Sequence, residues 1–268
     1  MNFKSTHLAF AALLLLGGQG LALNVAAAES PAATMTRETQ QAITPAEALA
    51  MLKRGNQRFM DDKMVNRDYA AQVKQTSRGQ FPFASIVSCL DSRVPPAIVF
   101  DRGVGDLFVA RVAGNFVNDD TLGSLEFASK LAGSKLIVVM GHTDCGAVKG
   151  ACDGAQLGLL TATLANINPA VTAVEGDFKP RSSKNPEFVQ AVAEKNVHLT
   201  LQKLRDRSLV LRQMIDSGEV GLVGAMYDVT TGVFNVVFVT VDYTEARSCS
   251  WPSRCNQRPP HMTACSSP

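Results

Sequence analysis

Apolar positions along the chain gather into short unbroken runs rather than long stripes. Four of them, at 83–87, 106–112, 136–140 and 221–226, are rich in Val, Ile and Leu and predict strands, most of them buried on both faces. Between them the apolar spacing turns helical, at 121–131, 147–164 and 196–217. Strands alternating with helices predict an α/β fold, a mostly parallel central sheet flanked by helices on both faces. The segment "YDVTTGVFNVVFV" (227–239) departs from this rhythm: it turns through 230–232 into an added hairpin strand, an antiparallel edge. Ahead of the sheet, "TPAEALAMLKRGNQRFMDD" (44–62) predicts a helical N-terminal arm, with Thr44 as N-cap and Pro45 in the first position. Ala46, Leu49, Leu52, Phe59 and Met60 are its expected packing residues. The stretch 174–186 reads as a surface loop between helices.

The two ends do not share this pattern. "MNFKSTHLAFAALLLLGG" carries one lysine and then a leucine/alanine run, and Ala26 and Ala28 satisfy the small-x-small rule, so 1–28 is expected to be a signal peptide. Gly17, Gly18, Gln19 and Gly20 interrupt the run early for a membrane span, and a retained anchor is the alternative reading. No second apolar run is long enough to span a bilayer. The last residues, 247–268, have no period and two adjacent prolines, and read as an irregular tail. The expected plan is a leader, a single domain over 29–246 and the tail, in an exported protein: periplasmic in a Gram-negative source, otherwise secreted, and off the membrane after cleavage.

Composition changes little. In 268 residues, 46% hydrophobic and 19% charged, the formal charge is +2, falling to +1 without the leader. That balance gives no argument for nucleic acid or an anionic membrane. Six cysteines in an exported chain suggest disulfides, but Cys89, Cys145 and Cys152 lie in the body and Cys249, Cys255 and Cys265 in the tail. Cys145 and Cys152, seven apart on one helix, are about 10 Å apart along it, too far for a bridge. Cys249 and Cys255 are spaced to close a small loop within the tail.

Chemistry concentrates at two strand ends. In "SCLDSRVPP" (88–96), Cys89, Asp91 and Arg93 alternate just after an apolar run, so an extended backbone turns all three to one side. In "LIVVMGHTDCGAVKG" (136–150), His142 and Cys145 occupy the turn from a strand into a helix. Sites in open α/β sheets form beyond the carboxyl ends of neighbouring strands. If these two strands are neighbours, two thiolates, an imidazole and a carboxylate converge. Two cysteines and a histidine with one position open form a catalytic zinc arrangement, and Asp91 would either fill that position or release it. With Asp91 bound permanently the zinc would be structural instead.

These segments also carry a resemblance. "CLDSRVPP", "GDLFVARVAGN", "GSLEFA" and "GHTDCGAVKG", together with "LKRGNQRF" and "VGAMYDVTTG", resemble the β-class carbonic anhydrases in order and spacing over about residues 44–241. The resemblance implies one zinc per subunit, homodimers or higher homo-oligomers, and reversible hydration of carbon dioxide to bicarbonate by zinc-bound hydroxide. It assigns zinc to Cys89, His142 and Cys145. It makes Asp91 the carboxylate that either ligates zinc or pairs with Arg93. Gln80 matches a glutamine that hydrogen-bonds substrate, Phe108 an apolar pocket wall, and Phe127 a position where some members have tyrosine. The bicarbonate regulation that some members build on a tryptophan is not carried over, because the only tryptophan is Trp251 in the tail. "GNQRF" is expected to pack the N-terminal helix on a partner subunit, and Gly114, Gly141 and Gly146 to serve close backbone approach or positive φ. Two rivals remain: hydrolysis of carbonyl sulfide or carbon disulfide on the same fold, and a closed-zinc, bicarbonate-responsive protein without catalysis.

Overall fold

The computed structural model describes residues 33–239; the expected leader, the tail with its cysteines, and Trp251 lie outside them. Five strands form one sheet: β1 (Ala84–Ser88), β2 (Leu107–Arg111), β3 (Leu136–His142), β4 (Gly221–Tyr227) and β5 (Phe234–Val239). Their order is β2-β1-β3-β4-β5, parallel except for the antiparallel pair β4–β5. Every residue of β1, β3 and β4 is buried, which is why these strands are unbroken apolar runs. The edge strands β2 and β5 carry the exposed positions.

The helical arm comprises α1 (Arg37–Ala42), α2 (Pro45–Met60) and α3 (Tyr69–Thr76), and α4 (Pro96–Val99) follows β1. Thr44 caps α2 in a reciprocal bond with Glu47, as its sequence predicts. The buried stripe of α2 runs through Ala48, Leu49, Met51, Leu52 and Gly55, whereas Ala46, expected inside, is exposed on its first turn. This stripe and α4 cover one face of the sheet, packing on Ile86, Val138 and Val223. Two residues of the "GNQRF" segment make bonds within the chain. Asn56 donates to the carbonyls of Val99 and Gly232 and accepts from the Phe234 amide. Arg58 bonds Asp101.

The other face carries α5 (Asp119–Glu126), which continues as a π-helical turn over Phe127–Leu131, then α6 (Gly146–Cys152), α7 (Gly158–Ala165), α8 (Asn168–Ala173), α9 (Pro186–Arg207) and α10 (Leu209–Asp216). Two predicted helices are each broken in two. The 147–164 pattern is interrupted after Cys152, where Gly154 takes φ +62°. The 196–217 pattern belongs to α9, which starts at Pro186 under an Asn185 cap, and to α10, capped by Ser208. Apolar periodicity runs through both breaks because each pair of helices packs on the same core.

Candidate metal centre

β1 and β3 are paired neighbours, with Ser88 beside Met140, so the residues after both strands emerge at one edge of the sheet. This satisfies the condition that the sequence left open. Cys89, His142 and Cys145 are all buried, and their ligand atoms lie within 4.8 Å of one another. The two sulfurs are 3.9 Å apart. His142 Nδ1 lies 2.9 Å from the Thr143 carbonyl, which can only accept, so Nδ1 carries the proton and Nε2 the lone pair. Nε2 is buried without a hydrogen-bond partner. A buried lone pair facing two sulfurs is costly unless something binds it, and two thiolates with one imidazole are zinc donors. The residues fit that ion.

The sulfurs are prepared electrostatically. The bond from Cys145 holds the Cys89 thiol well below its ordinary range, overcoming burial, with the Gly114 amide assisting. The same bond and burial push the Cys145 thiol up, opposed by the first amides of α6. One proton shared between two sulfurs is easily displaced by a cation. The Gly114 amide donates to Cys89 Sγ at 3.4 Å, and the buried Asn196 on α9 holds the following peptide, donating to the Gly114 carbonyl at 2.6 Å. Gly114 has φ +93°, and a Cβ there would stand 2.4 Å from Ile167, so only glycine fits. At Gly141 a Cβ would meet Met226 and Val197 at 2.8 Å, whereas Gly146 has open space around it and meets neither of its expected requirements.

Asp91 stands beside the three ligand atoms but outside their group. Its Oδ1 accepts from the Arg93 amide at 2.9 Å and from Nε at 3.0 Å, and its Oδ2 from Nη2 at 2.8 Å. These bonds hold the Asp91 carboxyl down to about 2. Oδ2 remains 3.9 Å from His142 Nε2. Arg111, from the end of β2, fastens the backbone beneath, donating to the carbonyls of Cys89 at 2.8 Å and Asp91 at 2.5 Å. Sequence reasoning did not single out Arg111, Asn196, Asp144 or Lys149. Three of the four sit inside the quoted motifs; Arg111, Asp144 and Asn196 bond residues far away in the chain, whereas Lys149 bonds Asp144 within its own motif.

Of the three residues expected to contact substrate, two lie together. Phe108 and Phe127 do meet, edge to face at 6.3 Å, lining a cavity of about 150 Å³ with Ser85, Ser124 and Leu125. Phe108 pairs with Ser85, four residues before Cys89, which puts its backbone about 13 Å back along the strand from the Cys89 position. Gln80 is exposed in the segment leading to β1. Phe108 stands back along its strand because position along a parallel strand, not sequence proximity, decides which end a side chain reaches.

A mostly parallel α/β sheet with a Cys–His–Cys donor set at its carboxyl edge defines a class of thiolate–imidazole metalloprotein. The family profile described as carbonic anhydrase matches residues 84–234. "Carbonic anhydrase 2" of Mycobacterium tuberculosis is 33% identical over 194 residues, 70% of this chain and 90% of that protein. The carbonic anhydrase of Mycolicibacterium smegmatis is 32% identical, covering 70% of this chain and 91% of its own length. Among solved structures, a β-carbonic anhydrase of Aspergillus fumigatus superposes with TM-score 0.55 at 26% identity, over 75% of this chain and 93% of that one. The chain belongs to the β-carbonic anhydrase family.

Proposed function

We propose that this protein catalyses the reversible hydration of carbon dioxide to bicarbonate at a zinc ion held by Cys89, His142 and Cys145. The observation that carries the reading is the buried, unpartnered Nε2 of His142 facing two sulfurs. Zinc bound there supplies a Lewis acid that makes water nucleophilic near neutral pH. The protein does the rest. The Gly114 amide spreads the charge of the Cys89 thiolate, and the Thr143 carbonyl fixes the imidazole tautomer. Arg93 withholds the Asp91 carboxylate from the ligand group while leaving it close enough to accept a hydrogen bond from an attacking water and orient it.

The same proposal covers assembly and location. Leu90, Val109, Phe127 and Leu131 are exposed apolar side chains, and β2 is a sheet edge, which suits burial against a second copy in a homodimer. The tetrameric β-carbonic anhydrases of Sordaria macrospora share the fold, with TM-score 0.53 at 24% identity over 63% of this chain and 90% of that one. The leader-like 1–28 segment supports export, with the catalytic domain over 29–246. Among the described residues no helix is long and apolar enough to cross a membrane.

A carbon dioxide hydration assay with metal analysis on the same preparation tests the reading. The expected result is about one zinc per chain and hydration that disappears with the metal and returns with it. Full zinc occupancy without hydration at any pH would overturn it.

A further inference from the structure

Arg93 is held by two carboxylates at once. Nε and Nη2 serve Asp91, while Nη1 reaches Asp144 Oδ2 and Nη2 the Asp144 carbonyl, each at 3.3 Å. Asp144 sits in the turn between His142 and Cys145 with φ +58°, a left-handed conformation that only a few residue types adopt readily. Its other oxygen, Oδ1, accepts from Lys149 on α6. The Lys149 bond anchors the carboxylate from behind and leaves Oδ2 to Arg93.

The geometry points to Asp144 as a positioning residue, backed by Lys149, that keeps Arg93 on Asp91 and so keeps Asp91 off the metal. The inference rests on the metal centre proposed above. The Arg93 side chain is 45% exposed, and a single exposed ion pair on so long a side chain is readily exchanged for water. A second anchor removes most rotamers in which Arg93 would leave. Asp91 needs only a small swing to reach the metal, being 3.9 Å from a ligand atom already. Arg111 holds the Asp91 carbonyl, so the swing involves the side chain and not the loop. Without Asp144 the population shifts toward molecules whose fourth position is filled by Asp91.

The test uses the cobalt-substituted full chain, titrated with thiocyanate and followed by visible absorption. Thiocyanate needs an open coordination position, so its apparent affinity scales with the open fraction. Asp144→Gly, which the left-handed backbone accommodates without strain, is expected to raise the apparent dissociation constant about tenfold. In an Asp91→Asn background the same substitution is expected to change nothing. In the zinc enzyme kcat/KM for hydration falls by the same factor, because only molecules whose fourth position is free of Asp91 react with carbon dioxide. Unchanged thiocyanate affinity in Asp144→Gly, or an equal rise in the Asp91→Asn background, would overturn the inference. If Asp144→Gly does not fold, Asp144→Asn takes its place with an expected rise of about threefold, and no rise is again decisive. Failure of the metal centre looks different: the wild-type protein would develop no cobalt–thiolate absorption, which would overturn that reading and this one with it.

Discussion

Asp91 lies 3.9 Å from Nε2 of His142 yet gives both of its carboxylate oxygens to Arg93. A carboxylate so close to a metal donor is a competing ligand, and the guanidinium is what restrains it. The bond is bidentate, the form in which arginine holds a carboxylate most firmly.

Replacing Arg93 by Ala is therefore expected to leave zinc bound while hydration falls by about a hundredfold or more. Metal analysis and a stopped-flow hydration assay on one preparation read both quantities. Wild-type turnover would reduce Asp91 and Arg93 to an ordinary ion pair.

Cys89→Ser and His142→Ala each remove one of the three candidate ligands of the cluster. Each is expected to weaken zinc binding by at least about a hundredfold, more than the loss of an outer hydrogen bond brings, and activity should fall in step. Competition with a chelator measures the affinity. Either variant retaining full zinc and full rate would be removed from the site.

Gly114→Ala should act on fold and site together. The added methyl meets Ile167 at 2.4 Å in a positive-φ conformation, and overpacking of this kind costs about 1–3 kcal/mol. The shift also moves the amide that serves Cys89. A lower urea midpoint with weaker zinc binding is the expected pair of results; weaker stability with unaltered zinc affinity would show that the amide is dispensable.

Asp101 supplies a stability prediction independent of the metal. Its side chain is fully buried, accepting from Arg58 at 2.6 Å, from Arg67 and from the Val65 amide. Burial pushes its carboxyl up, but the arginine bonds outweigh this and hold it below the ordinary value of 3.8. A depressed folded-state pKa stabilises above the unfolded value, and that contribution is lost as pH falls through the folded one. Urea unfolding should thus show full stability at neutral pH and a decline only below about pH 4 from this group. Asp101→Asn tolerates the φ of +45° while removing the charge, and is expected to cost about 3–5 kcal/mol and to flatten the acid limb. An unaltered acid limb would assign the decline to other carboxylates.

Local signals carried the sequence reading a long way. Residues buried on both faces must be apolar throughout, so β1, β3 and β4 are legible as unbroken runs, and the added strand is legible from its turn. Helix caps read well where the cap and its partner are three residues apart, as at Thr44 and Glu47. Cys89, Asp91, Arg93, His142 and Cys145 were legible because strand ends concentrate chemistry and each group lies within one short segment. The helix breaks after Cys152 and at Ser208 were not, since packing on a common core preserves apolar spacing across a turn.

What the sequence by itself determined is the kind of fold and the residue types that could form a metal centre; strand pairing and long-range bonds decided the rest. Only the pairing of β1 with β3 brings Cys89 to His142 and Cys145. Register likewise sends Phe108 to the opposite end of its strand from the ligands. The bond from Arg93 to Asp144 spans 51 residues, and the Cys89 amide partner is held by Asn196, 82 residues from Gly114. Such contacts join segments that no local pattern links, because side-chain direction is local while proximity depends on how the whole chain packs.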